Sequence, residues 1–454
     1  MADQWGERLP RTLGLFNAVT ILIGVTIGSG IFRVPATVAD KLHDPRLIIL
    51  CWLLGGVIVL CGALTLGELA AALPRSGGIF AYLLESFGPL PAFVFGWTEL
   101  VVIRASALGA TATIFAEYLG YFVPLSAPEI RYVAAAAIVV IGAINYLGAQ
   151  RAAAVMSVAT SAKYVAVLVL GLLAYTAASG SFAHFHPTGP TGGGLIGIGS
   201  GGLALLAAAL VPVMWTYDGW ADLSFMGGEV RNPQRTLPLA LALGTACVVA
   251  VYLIANLGFL YLFAADRMGG MKLIAAEAAQ NIPLLAGFGA QVVAGIVVVS
   301  AFSGLNGSMM TGPRIFFAMA DQGLFFRAVA RVSPRFHSPS VAIWLATVLG
   351  VAYVLENDFA ELADRFILGI WPFYALAVAG VFVLRRTRPE LPRPYRVPGF
   401  PWVPGLFLLA SVGLIGGSVW SDPKNTGVTF AVIAAGVPVY YLWKRWNNMG
   451  NARP

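Results

Sequence analysis

Residues 47–67 run for twenty-one positions without a charged side chain, and eleven further stretches are nearly as apolar. An α-helix needs roughly 20 such residues to cross the hydrocarbon of a bilayer. Inside lipid each backbone polar group must find its partner within the protein, and a helix provides this. Hydrophobic residues make up 58 % of the 454-residue chain and charged residues 11 %. Soluble domains carry about 25 % charge, so lipid has to solvate most of this surface.

Reading apolar runs between charges and turn residues predicts twelve spans, over 13–38, 46–72, 79–118, 129–149, 152–178, 202–227, 237–263, 286–318, 339–356, 361–384, 402–420 and 426–443. The third and eighth are long enough to be tilted or to extend past the bilayer. The expected fold class is an all-α polytopic membrane protein. No separate soluble domain fits between the spans, so residues 1–454 are expected to form one membrane domain. The connection 179–201 is glycine-rich and suits a flexible loop, while 264–285 reads as a short amphipathic surface helix. No cleavable signal peptide is expected, because the first run is long and follows the polar stretch Asp3 to Arg11.

The net charge of +7 forms no basic domain or stripe that would fit nucleic acid. Assigning loops alternately to two sides puts eighteen lysines and arginines on the side of the N-terminus and eight on the other. The positive-inside rule then places both termini in the cytoplasm, as the even number of spans requires. Cys51, Cys61 and Cys247 fall within apolar runs and are expected to be small buried hydrophobes. All four histidines, His43, His184, His186 and His337, fall in loops. No catalytic set, metal site or cofactor motif emerges, which argues against an enzyme and for transport.

Two spans contain what a simple helix avoids. The first holds Ile27-Gly28-Ser29-Gly30-Ile31 and the sixth Trp215-Thr216-Tyr217-Asp218-Gly219-Trp220. A close helix-packing face explains Gly24 and Gly28. It does not explain adjacent Gly28-Ser29-Gly30, nor an intramembrane Asp218. Two discontinuous helices do. A break at the midplane frees N–H and C=O groups for a polar substrate; the half-helix start after it suits a carboxylate and the carbonyls before it an ammonium. An α-amino acid carries both groups on one carbon. Breaks in spans one and six also have the spacing of two five-span repeats of inverted topology. Lys163, deep in span five, is read first as a structural cation on backbone carbonyls; the sharper alternative is that it occupies the place of a coupling cation, or titrates. Glu99 and Arg104 are five apart, not an ideal same-face spacing; they pair internally or cap neighbouring helices in this reading, and are taken as structural. Glu68, Glu85 and Glu229 are expected to pair with arginines near span ends.

In order along the chain, Gly28-Ser29-Gly30-Ile31-Phe32, Gly67-Glu68-Leu69, Pro74 to Gly78, Trp215 to Trp220, Glu229 to Arg235 and Gly304-Leu305-Asn306-Gly307 with Arg314 resemble the amino acid–polyamine–organocation superfamily. Within it, Trp97, Arg104 and Ser106, with Tyr252 and Asn256, are most similar to the L-type amino acid transporter family; Ala105 departs from the proline usual there. The resemblance implies a LeuT-type fold: a 5+5 inverted repeat over 13–178 and 202–384 with helices 1 and 6 discontinuous, plus two C-terminal helices at 402–443. It implies that Ile27 to Ile31 and Trp215 to Gly219 bind substrate, with Tyr252 near its end and Asn306 lining the site from span eight. Lys163 matches a lysine near the sodium position of sodium-coupled relatives, which implies sodium independence. Asp218 differs from the small residue of many animal members, and would narrow the pocket or repel acidic substrates. Animal members hold a glycoprotein heavy chain through a cysteine in the outer loop after span three; loop 119–130 has none, so no disulfide-linked partner is expected. The implied function is amino acid permeation in an inner membrane by a bacterial member, with exchange of neutral amino acids and proton-coupled symport both open.

Overall fold

The computed structural model describes residues 9–28, 30–186, 200–271, 274–357, 359–421 and 423–451. Most of the glycine-rich stretch of 179–201 lies outside them. Helices account for the architecture, and among the described residues β structure is limited to two isolated bridges, Leu13 with Val230 and Ser76 with Met226. Among the described residues, eight helices are long and apolar enough to cross a membrane. Four shorter apolar ones, Leu15–Thr26, Leu205–Tyr217, Ser340–Glu356 and Trp402–Gly417, fall on the first, sixth, ninth and eleventh predicted runs. Large apolar side chains lie bare on the outside, among them Val158 at 74 % exposure and Leu409 at 71 %. A water-facing surface rarely tolerates this over so wide an area.

The first run is interrupted. Helix α1 (Leu15–Thr26) ends early, a 3-10 turn occupies Gly30–Phe32, and α2 (Val34–Leu42) follows. Helix α3 (Pro45–Ala72) has 28 residues, about 42 Å at 1.5 Å per residue. The third run is neither one tilted helix nor one over-long one. Helix α4 (Ile79–Phe87) stops at Gly88, with φ of +88°, and α5 (Pro89–Thr98) restarts with proline in its first turn. Proline lacks the N–H a continuing helix would need. A π-helical turn over Glu99–Ile103 joins α5 to α6 (Arg104–Leu119).

Helices α7 (Ala127–Tyr146) and α8 (Ala149–Leu173) follow. The sixth run forms α9 (Ser200–Tyr217) and then only 3-10 turns at Asp222–Phe225 and Gly227–Glu229. The α-helical start expected after the second break is therefore absent. Next come α10 (Pro233–Leu262), α11 (Ala265–Gly269) and α12 (Ile274–Asn281). The single amphipathic helix expected in 264–285 is thus two short ones; α12 buries Ile274, Ala275, Ala278 and Ala279 on one face. The chain continues as α13 (Gly289–Asp321), α14 (Ser340–Glu356), α15 (Phe359–Thr387), α16 (Trp402–Ser421) and α17 (Pro423–Asn451). Helix α1 packs against α8, α10 and α13, and α9 against α2 and α3. The two interrupted segments therefore pack on each other and on the continuous helices α3, α8, α10 and α13, which supply partners for the backbone groups the interruptions free.

Candidate functional site

At the end of α1, the Gly28 N–H bonds to Thr26 O at 2.9 Å rather than to Gly24 O four residues back. Gly24 O thereby loses its helical donor. Lys163 Nζ on α8 takes that place at 2.7 Å, also donates to Ile27 O at 2.5 Å, and stands 3.5 Å from Ser300 O. Ser300 Oγ on α13 lies 3.0 Å from Ile27 O and 3.3 Å from Gly28 O. A buried ammonium is costly unless hydrogen-bonded, and a helix break is costly unless its carbonyls are satisfied. Each defect answers the other.

The second break follows α9. The Asp218 N–H bonds to Trp215 O at 3.2 Å, and Gly219 adopts φ of +102°, a conformation that glycine reaches without a Cβ penalty. A Cβ there would stand 2.9 Å from Val25 Cγ1 and 3.0 Å from Thr26 N, and one on Gly30 would stand 2.8 Å from the Thr216 side chain. The two breaks therefore touch, and only glycines allow it. Tyr252 Oη on α10 stands between them, 2.9 Å from Thr26 O and 3.0 Å from Thr216 O.

Beside this junction is a cavity of about 110 Å³, on a scale where one water needs ~10–15 Å³. Of the residues expected at the site, Gly28, Gly30, Trp215, Thr216 and Asp218 line it. Gly28 faces open space, with nothing within 4 Å of where a Cβ would be. Ile27, Ile31, Tyr217, Gly219 and Tyr252 are buried behind the wall; Tyr217 Oη reaches away to Trp52 O at 3.1 Å. Ser29 lies outside the described residues. Asn306 does not line the cavity. Its Nδ2 donates to Ala152 O at 3.0 Å and its Oδ1 accepts from Asn145 at 2.9 Å, so it ties α13 to α7 and α8. Gly304 and Ser308, on the neighbouring turns of α13, line the cavity instead.

Sequence reasoning missed the polar wall opposite the breaks. Arg104 lines the cavity together with Asp222, Thr111, Ser308 and Phe366. The π-helical turn brings residues five apart onto one face, so Arg104 Nε meets Glu99 Oε2 at 3.3 Å in spite of the spacing. Arg104 Nη1 also reaches Asp222 Oδ2 at 3.2 Å, which Thr311 Oγ1 donates to at 2.7 Å. Asp218 accepts from Tyr374 Oη on α15 at 3.0 Å. The only sequence signal for Asp222 was a second acid four residues after Asp218.

Away from the cavity, ion pairs close the helix bundle. Arg314 meets Glu229 at 2.7 Å with both side chains buried, Arg385 meets Glu68 at 2.6 Å, and Arg75 meets Glu85 at 2.8 Å, with Arg388 on the same carboxylate. All three glutamates thus hold arginines. Arg11 donates to the carbonyls of Pro74, Gly227 and Val230, laying the segment before α1 across this end. Phe366 at the cavity and Arg385 at the ion pairs are nineteen residues apart on α15, about 28 Å along a helix.

A cavity beside two interrupted apolar helices is an arrangement that suits a transporter, and the similarities to known proteins specify the family. The amino acid permease family model matches residues 13–443, so the chain belongs to that family. The serine/threonine exchanger SteT of Bacillus subtilis is 28 % identical over 96 % of this chain and 98 % of its own. The human b(0,+)-type amino acid transporter 1 is 31 % identical over 96 % and 88 %. The human cystine/glutamate transporter is 30 % identical over 97 % and 86 %. The family resemblance read from the motifs is therefore established: this is a multi-pass amino acid permease of the amino acid–polyamine–organocation superfamily, similar to L-type transporters, and not an enzyme.

Proposed function

We propose that this protein exchanges neutral L-amino acids across the membrane, without sodium, by alternating access to the cavity beside the two breaks. The observation that carries this is the contact of the breaks, Gly30 against Thr216, at a cavity edged by open backbone. The first N–H groups after a break have no intrahelical acceptor and suit the substrate carboxylate. The last carbonyls of α9 suit its ammonium. The largely apolar remainder, Val25, Ala107, Ala110, Ile114 and Ala301, favours an uncharged side chain.

The twelve apolar helices among the described residues, eight long and four shorter, suit two inverted five-span repeats, 13–178 and 202–384, followed by two C-terminal spans, in one membrane domain. The excess of arginines on the side of the ion pairs favours cytoplasmic termini in an inner membrane. The cavity is then reached from outside while Glu229–Arg314 and Glu68–Arg385 seal the inside. Lys163, held on Gly24 O and Ile27 O, acts as a fixed cation where sodium-coupled relatives would bind an ion. Loop 119–130 lacks a cysteine, so the protein works without a disulfide-linked heavy chain. The second reading, proton-coupled symport, is favoured by Asp218, which faces the cavity with a hydroxyl as partner rather than a cation.

Labelled neutral amino acids supplied to proteoliposomes in sodium-free buffer separate the two. Uptake that requires unlabelled amino acid inside supports exchange. Uptake without internal substrate that rises with an inward proton gradient overturns exchange in favour of symport.

A further inference from the structure

The cavity wall carries charge in a pattern that a site for uncharged side chains does not need. Arg104 is the one guanidinium among its described lining residues, and a free guanidinium there would attract a substrate carboxylate by paired N–H donors. It is not free. Glu99 takes its Nε and Nη2, at 3.3 and 3.5 Å, and Asp222 takes its Nη1 at 3.2 Å. Thr311 fixes Asp222 from behind at 2.7 Å. Asp218, also on the cavity, accepts a hydrogen bond from Tyr374 and lies within electrostatic reach of Arg104, Asp222 and Glu99. Lys163 is turned to the α1 carbonyls and does not line the cavity. The lining thus holds two carboxyl groups, with a third just behind, against one arginine engaged with two of them.

We infer that Asp222 is a specificity-determining residue: by engaging Arg104 it closes the cavity to amino acids with acidic side chains, and with Asp218 it opens the cavity to those with cationic ones. This rests on the proposed site at the two breaks. A like charge brought against Asp218 and Asp222 meets repulsion in a poorly screened site. A cationic side chain there meets three carboxyl groups, Asp218, Asp222 and Glu99, that share the single Arg104 guanidinium. Rejection of the wrong charge is a recognised route to specificity.

The test measures inhibition of labelled neutral amino acid exchange in proteoliposomes by unlabelled lysine and glutamate. In the wild type, lysine is expected to compete and glutamate to compete at least tenfold more weakly. In Asp222→Asn, the ratio of the glutamate to the lysine inhibition constant is expected to fall at least tenfold, because Arg104 regains a free donor edge. Asp222→Glu is expected to restore the wild-type ratio. Asp218→Asn, should Asp222→Asn not yield folded protein, is expected to weaken lysine selectively. Wild-type glutamate competing as well as lysine overturns the inference, as does an unchanged ratio in folded Asp222→Asn. No exchange of any amino acid by the wild type instead overturns the site reading on which the inference rests.

Discussion

Lys163→Met removes the cation that holds the first break and keeps nearly the same length of side chain. Two short charge-assisted bonds disappear, to Gly24 O at 2.7 Å and Ile27 O at 2.5 Å. Ile27 O keeps Ser300 Oγ at 3.0 Å. Gly24 O keeps nothing, because its helical donor Gly28 already bonds to Thr26. An orphaned buried acceptor costs about 1–3 kcal/mol, and a hydrogen bond from a charged donor contributes about 1.5–3 kcal/mol. Methionine recovers part of this, since an ammonium no longer has to be desolvated. The net penalty on the broken conformation is therefore roughly 1.5–3 kcal/mol, or about ten- to a hundredfold in its equilibrium against unbroken alternatives. Apparent affinity follows the population of the competent state. Exchange measured in proteoliposomes, at equal reconstituted protein, should show KM raised, by up to that factor, and sodium should not restore it. Lys163→Gln, whose amide still donates, should recover part of the loss. Wild-type KM in Lys163→Met, with the protein folded, refutes the coupling between Lys163 and the break.

Other consequences follow from single contacts. Gly28→Leu places four carbons in the open space of the cavity and should abolish exchange while the protein still purifies as a folded monodisperse species; retained exchange contradicts the site. Gly30→Ala drives a Cβ to 2.8 Å from Thr216 and should cost about 1–3 kcal/mol as overpacking, read as a lower Tm that Thr216→Ala restores in part. Tyr252→Phe leaves Thr26 O and Thr216 O without their shared hydroxyl, and a loss of roughly 1–2 kcal/mol should raise KM about five- to thirtyfold. Glu229→Gln strips the buried Arg314 of its counter-charge and should lower stability by about 3–5 kcal/mol, measured by thermal unfolding in detergent.

Apolar runs made the helices legible because lipid imposes a minimum length that few soluble segments reach. Both breaks were legible because Gly-Ser-Gly and an Asp-Gly pair are poor choices in lipid. What followed the second break was not, since 3-10 turns and a half-helix share the same apolar composition. Gly88-Pro89 is a plain stop signal, but it lay inside a continuous apolar run and was absorbed by it. The Arg104–Asp222 contact joins residues 118 apart, and no local spacing announces it. An internal Glu99–Arg104 pair is among the readings the sequence allows, and the π-helical turn is what brings the five-residue interval onto one face; that Arg104 also lines the cavity has no signal in that interval. The family resemblance implies Asn306 as a lining residue, yet a buried amide between three helices must satisfy itself on its neighbours, and does so on Asn145 and Ala152.

The most direct test is a cryo-EM map of the protein in lipid nanodiscs with a saturating neutral amino acid. The account predicts ligand density between Gly28–Gly30 and Thr216–Asp218, with its carboxylate towards the first break and its ammonium towards the end of α9. Density elsewhere, with this cavity empty under saturating substrate, contradicts it.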